Sequence, residues 1–232
     1  MSDPESGRDP AALFYQGTCG KKYHDGKRAL RPEALEWVLN LRAEKFQNHV
    51  RAGDVVFELG VGSGWNLGKL DCRRRIGCDT SEFLAERVSA LGIEFVKSIE
   101  DVPGALADVA ICHQTLEHLL EPAKALQQLA RVLKPQGKLI LHVPWEHERR
   151  YAHYHSDEPN HHLYNWNAQN LGNLAVVLGY RIISLRVRHY GYDRFAANLS
   201  VLLHAGEPGF RFIRATMITL RPLREIELIA SR

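Results

Sequence analysis

Between residues 54 and 143 the chain alternates short apolar runs with segments of helical periodicity, and this alternation restricts the fold more than any other feature. The apolar runs predict strands at 54–59, 75–78, 94–96, 108–112 and 138–143. Helix signals fall between them. The clearest is 122–133, where Pro122 suits a first turn, Ala123, Leu126, Leu129, Ala130 and Leu133 share one face, and Lys-Pro-Gln-Gly ends the run. Shorter helices are expected over 64–70 and 81–91, the latter capped by Ser81 and stopped at Gly92. Parallel strands need a crossover to reach their neighbours, so such alternation predicts a mainly parallel sheet covered by helices on both sides.

The flanks extend this α/β pattern. A helix following Pro32 carries Leu35, Val38, Leu39 and Phe46 at helical spacing. After a polar stretch, a helix over 167–178, a strand over 180–188, helical runs within 193–220 and a last strand near 224–230 are expected. With 232 residues, 45% of them hydrophobic, one core can form without metal or disulfide support. The organisation expected is a mobile arm at 1–29, carrying Phe14, Tyr15 and Tyr23, and one domain at 30–232 with rim insertions at 144–165 and 189–220.

Charge and cysteine content exclude several classes. Thirty Lys and Arg against 27 Asp and Glu give a formal charge of +3, without the long like-charge blocks of a nucleic-acid or membrane tail. Cys19, Cys72, Cys78 and Cys112 show no CxxC spacing and read as reduced thiols of a cytoplasmic protein. The opening MSDPESGRDP lacks the apolar core of an export signal, and no run reaches the roughly 18 apolar residues of a membrane helix.

The first strand ends in Phe57-Glu58-Leu59-Gly60-Val61-Gly62-Ser63-Gly64. Alternate glycines there permit a tight turn and let a ligand approach the backbone. A dinucleotide fingerprint would require glycine where Trp65 stands, and no Gly-Lys-Ser/Thr follows for a phosphate loop. The Glu58 carboxylate disfavours a pyrophosphate and suits a cationic ligand such as S-adenosylmethionine (SAM), which carries a sulfonium and an ammonium. Asp79, at the end of the second predicted strand, can accept hydrogen bonds from both hydroxyls of a ribose.

With these residues the chain resembles the class I SAM-dependent methyltransferase family, small-molecule type, over roughly residues 30–188. The resemblance rests on FELGVGSG (57–64), GCDTS (77–81), ADVAICHQTLEHLLEP (107–122), LARVLKPQGKLILHVP (129–144) and HHLYNW (161–166). It implies a Rossmann-like, doubly wound, seven-stranded and mostly parallel sheet with an antiparallel last strand. It also implies that Glu58, Gly60, Gly62 and Gly64 line the methionine end of SAM and that Asp79 holds the ribose. Thr80, Ser98 and Ile99 would flank the adenine, with His113 beneath the methionyl portion. Ser98 departs from the family pattern, which often has Asp there; a serine hydroxyl can accept the same bond without charge. Tyr15 or Tyr23 would fold over the cofactor as a lid.

The acceptor side is read from the loops after the fourth and fifth strands. His113 is expected as an acid–base or cofactor contact, with Glu117 and His118 one turn further read first as helix capping and packing. After the fifth strand come Glu146, His147, Glu148, Arg149 and Arg150, and His147 is the first choice for a general base. Glu146, Arg150, His161 and Tyr164 are expected to bind substrate. Five of the 12 histidines (His147, His153, His155, His161, His162) fall within this loop, yet their spacing matches no zinc pattern. Cys112-His113-Gln114 stands where cation-dependent relatives place an Asp, so no metal is expected. Neither the Asn/Asp-Pro-Pro-aromatic motif nor a Pro-Cys nucleophile is present, so nucleic acid is an improbable partner. The reading is a methyl transferase acting on O, N or C of a small polar molecule, a sugar or natural-product intermediate among the candidates. The alternatives are a nucleic-acid methyltransferase and a silent SAM-fold binding module.

Overall fold

The computed structural model describes residues 10–27, 29–146, 153–156 and 160–232. The elements in chain order are α1 (Gly17–Lys22), α2 (Leu35–Gln47), β1 (Val55–Leu59), β2 (Arg74–Cys78), α3 (Ala85–Ser89), β3 (Glu94–Val96), β4 (Ala107–His113), α4 (Pro122–Val132), β5 (Leu133–Pro144), α5 (Ala168–Val177), β6 (Arg181–Tyr190), α6 (Asp193–Leu202), α7 (Gly206–Leu220) and β7 (Leu223–Ser231). Seven strands form one sheet in the order β3-β2-β1-β4-β5-β7-β6. β1 to β5 pair in parallel, and β7 runs antiparallel to both β5 and β6. This is the doubly wound arrangement expected from the alternation, with the strand order reversing beside β1.

Period-2 burial explains why the central strands are apolar throughout. Val55 and Phe57 of β1, Ala110 and Cys112 of β4 and Leu139 and Leu141 of β5 pack into the core on one face. Val56, Val109, Ile111 and Ile140, one residue out of phase, pack with Phe46, Leu67 and Leu84 on the other. α4 contributes Leu126, Leu129 and Val132 to the first core, as its stripe predicts. A third cluster joins Val38 of α2 to Ala196, Ala197 and Phe210, anchoring α6 and α7 on the rim.

Several local expectations change. The helix expected over 64–70 is a series of turns, because Gly64 takes φ +77° and the Arg75 guanidinium donates to the Gly68 carbonyl at 2.8 Å. Ser81 does not cap a helix with its side chain; its hydroxyl donates to the Tyr15 carbonyl at 2.6 Å. A 3₁₀ turn at Glu82–Leu84 precedes the short α3. β5 starts at Leu133, earlier than its apolar run, because Leu133 pairs with Ala107 ahead of an irregularity in the β4–β5 register.

Of the expected arm, Tyr15 and its neighbours pack on the domain. The Tyr15 ring stands edge-on to Tyr23 and to His118. Among the described residues no helix is long and apolar enough to cross a membrane.

Candidate functional site

The carboxyl ends of the parallel strands meet at one edge of the sheet, the position where folds of this type bind ligands. There the chain after β1 turns through Gly60, Gly62 and Gly64 at φ +75°, +52° and +77°. A methyl group on Gly60 would lie 2.2 Å from Thr115 Oγ1, so the loop can run this close to the β4 segment only with glycine. The loop is tied to β2 through Asp79, whose Oδ2 accepts the Gly62 N–H at 2.8 Å and whose Oδ1 accepts the Ser81 N–H at 2.9 Å. Each oxygen keeps a further lone pair. Glu58 is fully buried at the end of β1, and Asn66 Nδ2 donates to its Oε1 at 2.5 Å.

The adenine-side candidates lie beyond β2 and β3. Thr80 is exposed next to Asp79. Ser98 caps the short turn Ile99–Asp101, its hydroxyl bonded to the Glu100 carboxylate and accepting from the Glu100 N–H. That hydroxyl holds the Glu100 carboxyl below its ordinary range. The Ile99 carbonyl accepts from Arg131 Nη2 at 2.6 Å.

A cleft of about 760 Å³ opens from the Gly60–Asn66 segment toward β5, β7 and the start of α6. His113, His118, Glu146, His162, Asp193 and Arg224 are among its walls. His113 Nε2 lies 3.2 Å from Arg42 Nη1 and 3.0 Å from Lys45 Nζ. Guanidinium and ammonium only donate, so Nε2 is an acceptor and the ring proton sits on Nδ1. Behind this wall Lys45 Nζ donates to Glu225 Oε1 at 2.5 Å, and His142 Nδ1 lies 3.1 Å from the same oxygen. Burial draws the Lys45 ammonium down to about 8 against the attraction of Glu225. Burial pushes the Glu225 carboxyl up, but Lys45 and His142 outweigh it and hold the group at about 2. Burial, with Lys45 beside it, lowers His142 below the usual histidine range.

The other acceptor-side residues separate. Glu146 Oε2 accepts from His162 Nδ1 at 2.8 Å. His161 packs against Phe14, the rings tilted by 32° with centroids 4.0 Å apart. Tyr164 donates to the Leu120 carbonyl at 2.8 Å and stacks on Trp166, so neither it nor His161 is among the cleft-lining residues. His147 and Arg150 lie outside the described residues. Although no metal is expected from sequence, one nitrogen each of His118 and His162 and one Glu117 oxygen lie within 4.8 Å of one another.

Sequence reasoning missed Arg42, Lys45, Arg224 and Glu225. Glu225 and Glu227 did leave a signal, as carboxylates alternating with Ile226 and Leu228 in an apolar strand. Arg224 lies over the Trp145 ring, 5.1 Å from its centroid, and lines the cleft.

The fold and strand-edge site define a Rossmann-like methyltransferase domain. A methyltransferase-domain family profile matches residues 27–185, well over half of the chain, and the chain belongs to that family of SAM-dependent enzymes. A 37.1 kDa transposon-encoded protein of Streptomyces fradiae is 32% identical over 112 residues, covering 41% of this chain and 32% of that protein. The tRNA (carboxymethyluridine(34)-5-O)-methyltransferase of Mus musculus is 31% identical over 122 residues, covering 47% and 17%. The matched segments thus span less than half the length of these curated relatives. Among solved structures, phosphoethanolamine N-methyltransferase 2 of Haemonchus contortus with bound SAM superposes with a TM-score of 0.61 at 16% identity, covering 97% of this chain and 60% of that one. The 4+2 cyclase SpnF gives 0.60 at 19% identity, covering 88% and 83%. Its different reaction shows that the fold alone does not set the chemistry.

Proposed function

We propose that this protein transfers a methyl group from SAM to an oxygen, nitrogen or carbon atom of a small polar molecule. The observation that carries this reading is the continuous cleft from the glycine loop to a wall of histidine, carboxylate and Arg224. One end offers close backbone at Gly60 and Val61, with Asn66 between the cleft and the buried Glu58; the other offers polar groups for an acceptor. Bound SAM supplies a methyl group already activated on a sulfonium.

In this reading the turn through Gly60, Gly62 and Gly64 takes the methionine end, Gly64 letting the turn pack closely on Leu91 and Ile93, and Glu58 attracts the ligand's positive charge through Asn66 or directly. Asp79 takes the ribose hydroxyls with the lone pairs that Gly62 and Ser81 do not use. Thr80, Ser98 and Ile99 flank the base. His113, whose Nε2 accepts from Arg42 and Lys45, offers its Nδ1 N–H rather than a base, and His147 is the proton acceptor proposed for a hydroxyl or ammonium substrate. Tyr15 and Tyr23 close the cofactor side, and Arg224 orients the acceptor. Alignment and exclusion of water supply much of the acceleration, because the donor needs no further activation.

Calorimetry with SAM and S-adenosylhomocysteine, followed by methyl-labelled SAM with a panel of polar acceptors, tests this. Micromolar binding and label transfer to a small molecule are expected. No binding at millimolar ligand would leave a silent scaffold. The similarity to a tRNA methyltransferase motivates an RNA arm in the same assay, in which tight binding with a steep salt slope replaces the small-molecule reading.

A further inference from the structure

We infer that Glu117, His118 and His162 form a divalent-metal centre at the acceptor end of the cleft. The inference rests on the reading of this cleft as the acceptor site.

The three residues come from two segments that the backbone holds together. Glu117 and His118 lie in the turn Leu116–His118 after β4, and His162 belongs to the loop after β5. The Glu117 carbonyl accepts both the Leu163 N–H, at 2.8 Å, and the Tyr164 N–H, at 3.2 Å. The residue that bears the carboxylate therefore grips the chain next to His162. His161, just before it, takes φ +51°, a left-handed conformation that a non-glycine residue adopts at a cost.

Hydrogen bonding then assigns the ring nitrogens. Tyr15 has one hydroxyl proton, and it is donated to the Asn160 carbonyl at 2.9 Å. His118 Nδ1, 2.8 Å from the same hydroxyl oxygen, must be the donor in that contact. Nε2 is then the nitrogen that would ligate an ion, and it lies 3.9 Å from Glu117 Oε1. His162 repeats the pattern: Nδ1 donates to the Glu146 carboxylate at 2.8 Å, so Nε2 would be its ligating nitrogen. A second group bonded to the far nitrogen is how metal-binding histidines are oriented and made more basic.

Two imidazoles and a carboxylate suit a first-row divalent ion such as zinc or manganese. Ligands about 2.1 Å from a metal stand about 3–3.4 Å apart, so atoms already within 4.8 Å need only a small side-chain closure. Three protein ligands leave positions open. His118 and His162 line the cleft, so those positions are available to an acceptor hydroxyl, whose proton the metal makes easier to remove. The substrate class that fits is a hydroxylated molecule: its metal-bound oxygen would give its proton to water, and the O–CH3 bond would form as the S–CH3 bond of SAM breaks and S-adenosylhomocysteine leaves.

The test uses the full chain stripped with chelator and titrated separately with manganese, zinc and cobalt, with SAM affinity measured on the same samples. One equivalent is expected to bind, cobalt with a visible ligand-field spectrum, and Glu117→Gln and His162→Ala are expected to weaken binding at least tenfold while SAM affinity stays unchanged. His204→Asn, at an exposed histidine, controls for adventitious imidazole binding and should have no effect. Absence of stoichiometric binding, equal binding in the variants, or an imidazolium signal from His118 at neutral pH without metal overturns the centre. A chain that binds metal but not SAM keeps the centre and removes the methyltransferase reading; one that binds SAM but not metal does the reverse.

Discussion

Lys45 of α2 places its ammonium 2.5 Å from the Glu225 carboxylate of β7, joining the helix before the sheet to the antiparallel strand inserted at its far side. Both groups are largely removed from water, and the pair also braces His113 and His142 behind the cleft wall.

Breaking that pair from one side should be costly. Lys45→Met leaves Glu225 buried without its ammonium and is expected to cost about 3–5 kcal/mol, while Lys45→Met with Glu225→Leu should cost clearly less. Urea denaturation of the single and double variants measures the difference.

The same groups set an acid limit. Glu225 has its folded value lowered to about 2, so the unfolded chain binds the proton first, and stability present above its ordinary value of 4.5 is lost as pH falls toward 2. His142, also lowered from its ordinary 6.5, adds loss that begins as pH falls through that value. Denaturation midpoints should decline below pH 6.5 and more steeply below 4.5. In Glu225→Leu the limb below 4.5 should become shallower, keeping the share carried by Glu44, Glu100 and Asp108, whose carboxyls are also lowered.

Asp79→Ala should weaken SAM binding by about 10- to 100-fold, corresponding to one or two lost hydrogen bonds to a charged group. It should also loosen the glycine loop, since Gly62 and Ser81 lose their acceptor. Calorimetry reports the first effect, and hydrogen exchange at Gly62 the second. Unchanged SAM affinity would remove Asp79 from the ribose site.

Gly60→Ala puts a methyl group against Thr115 at a positive φ and is expected to cost about 1–3 kcal/mol in stability, with SAM binding lost alongside. Thermal denaturation with and without SAM separates the two.

Arg224→Ala should raise the acceptor KM about tenfold with SAM affinity unchanged, because its guanidinium lies on Trp145, beside the β5 and β7 ends of the cleft. An unchanged KM would leave Arg224 as a packing residue.

Much of this molecule was legible in order along the chain. The strands at 94–96 and 108–112 and the helix from Pro122 lie within a residue or two of their expected bounds, because two-sided burial and an apolar helical stripe are local patterns. The glycine loop, Glu58 and Asp79 were legible for the same reason: a strand end followed by a turn is a local event. The expectation for 64–70 failed where one left-handed glycine and an arginine from the next strand outweighed helical spacing.

The amino-acid sequence by itself determined the doubly wound class, the placing of the glycine turn at a strand end, and the histidine-rich character of the loop after the fifth strand. Only the tertiary structure decided where those histidines sit. It set His162 beside Glu117 and His118, bonded His118 to Tyr15, sent His161 onto Phe14, and set Lys45 and Glu225 behind His113. The physical reason is that burial patterns are written in residue spacing, whereas the meeting of ionisable groups from distant segments depends on strand order. That order becomes fixed only when β7 enters between β5 and β6.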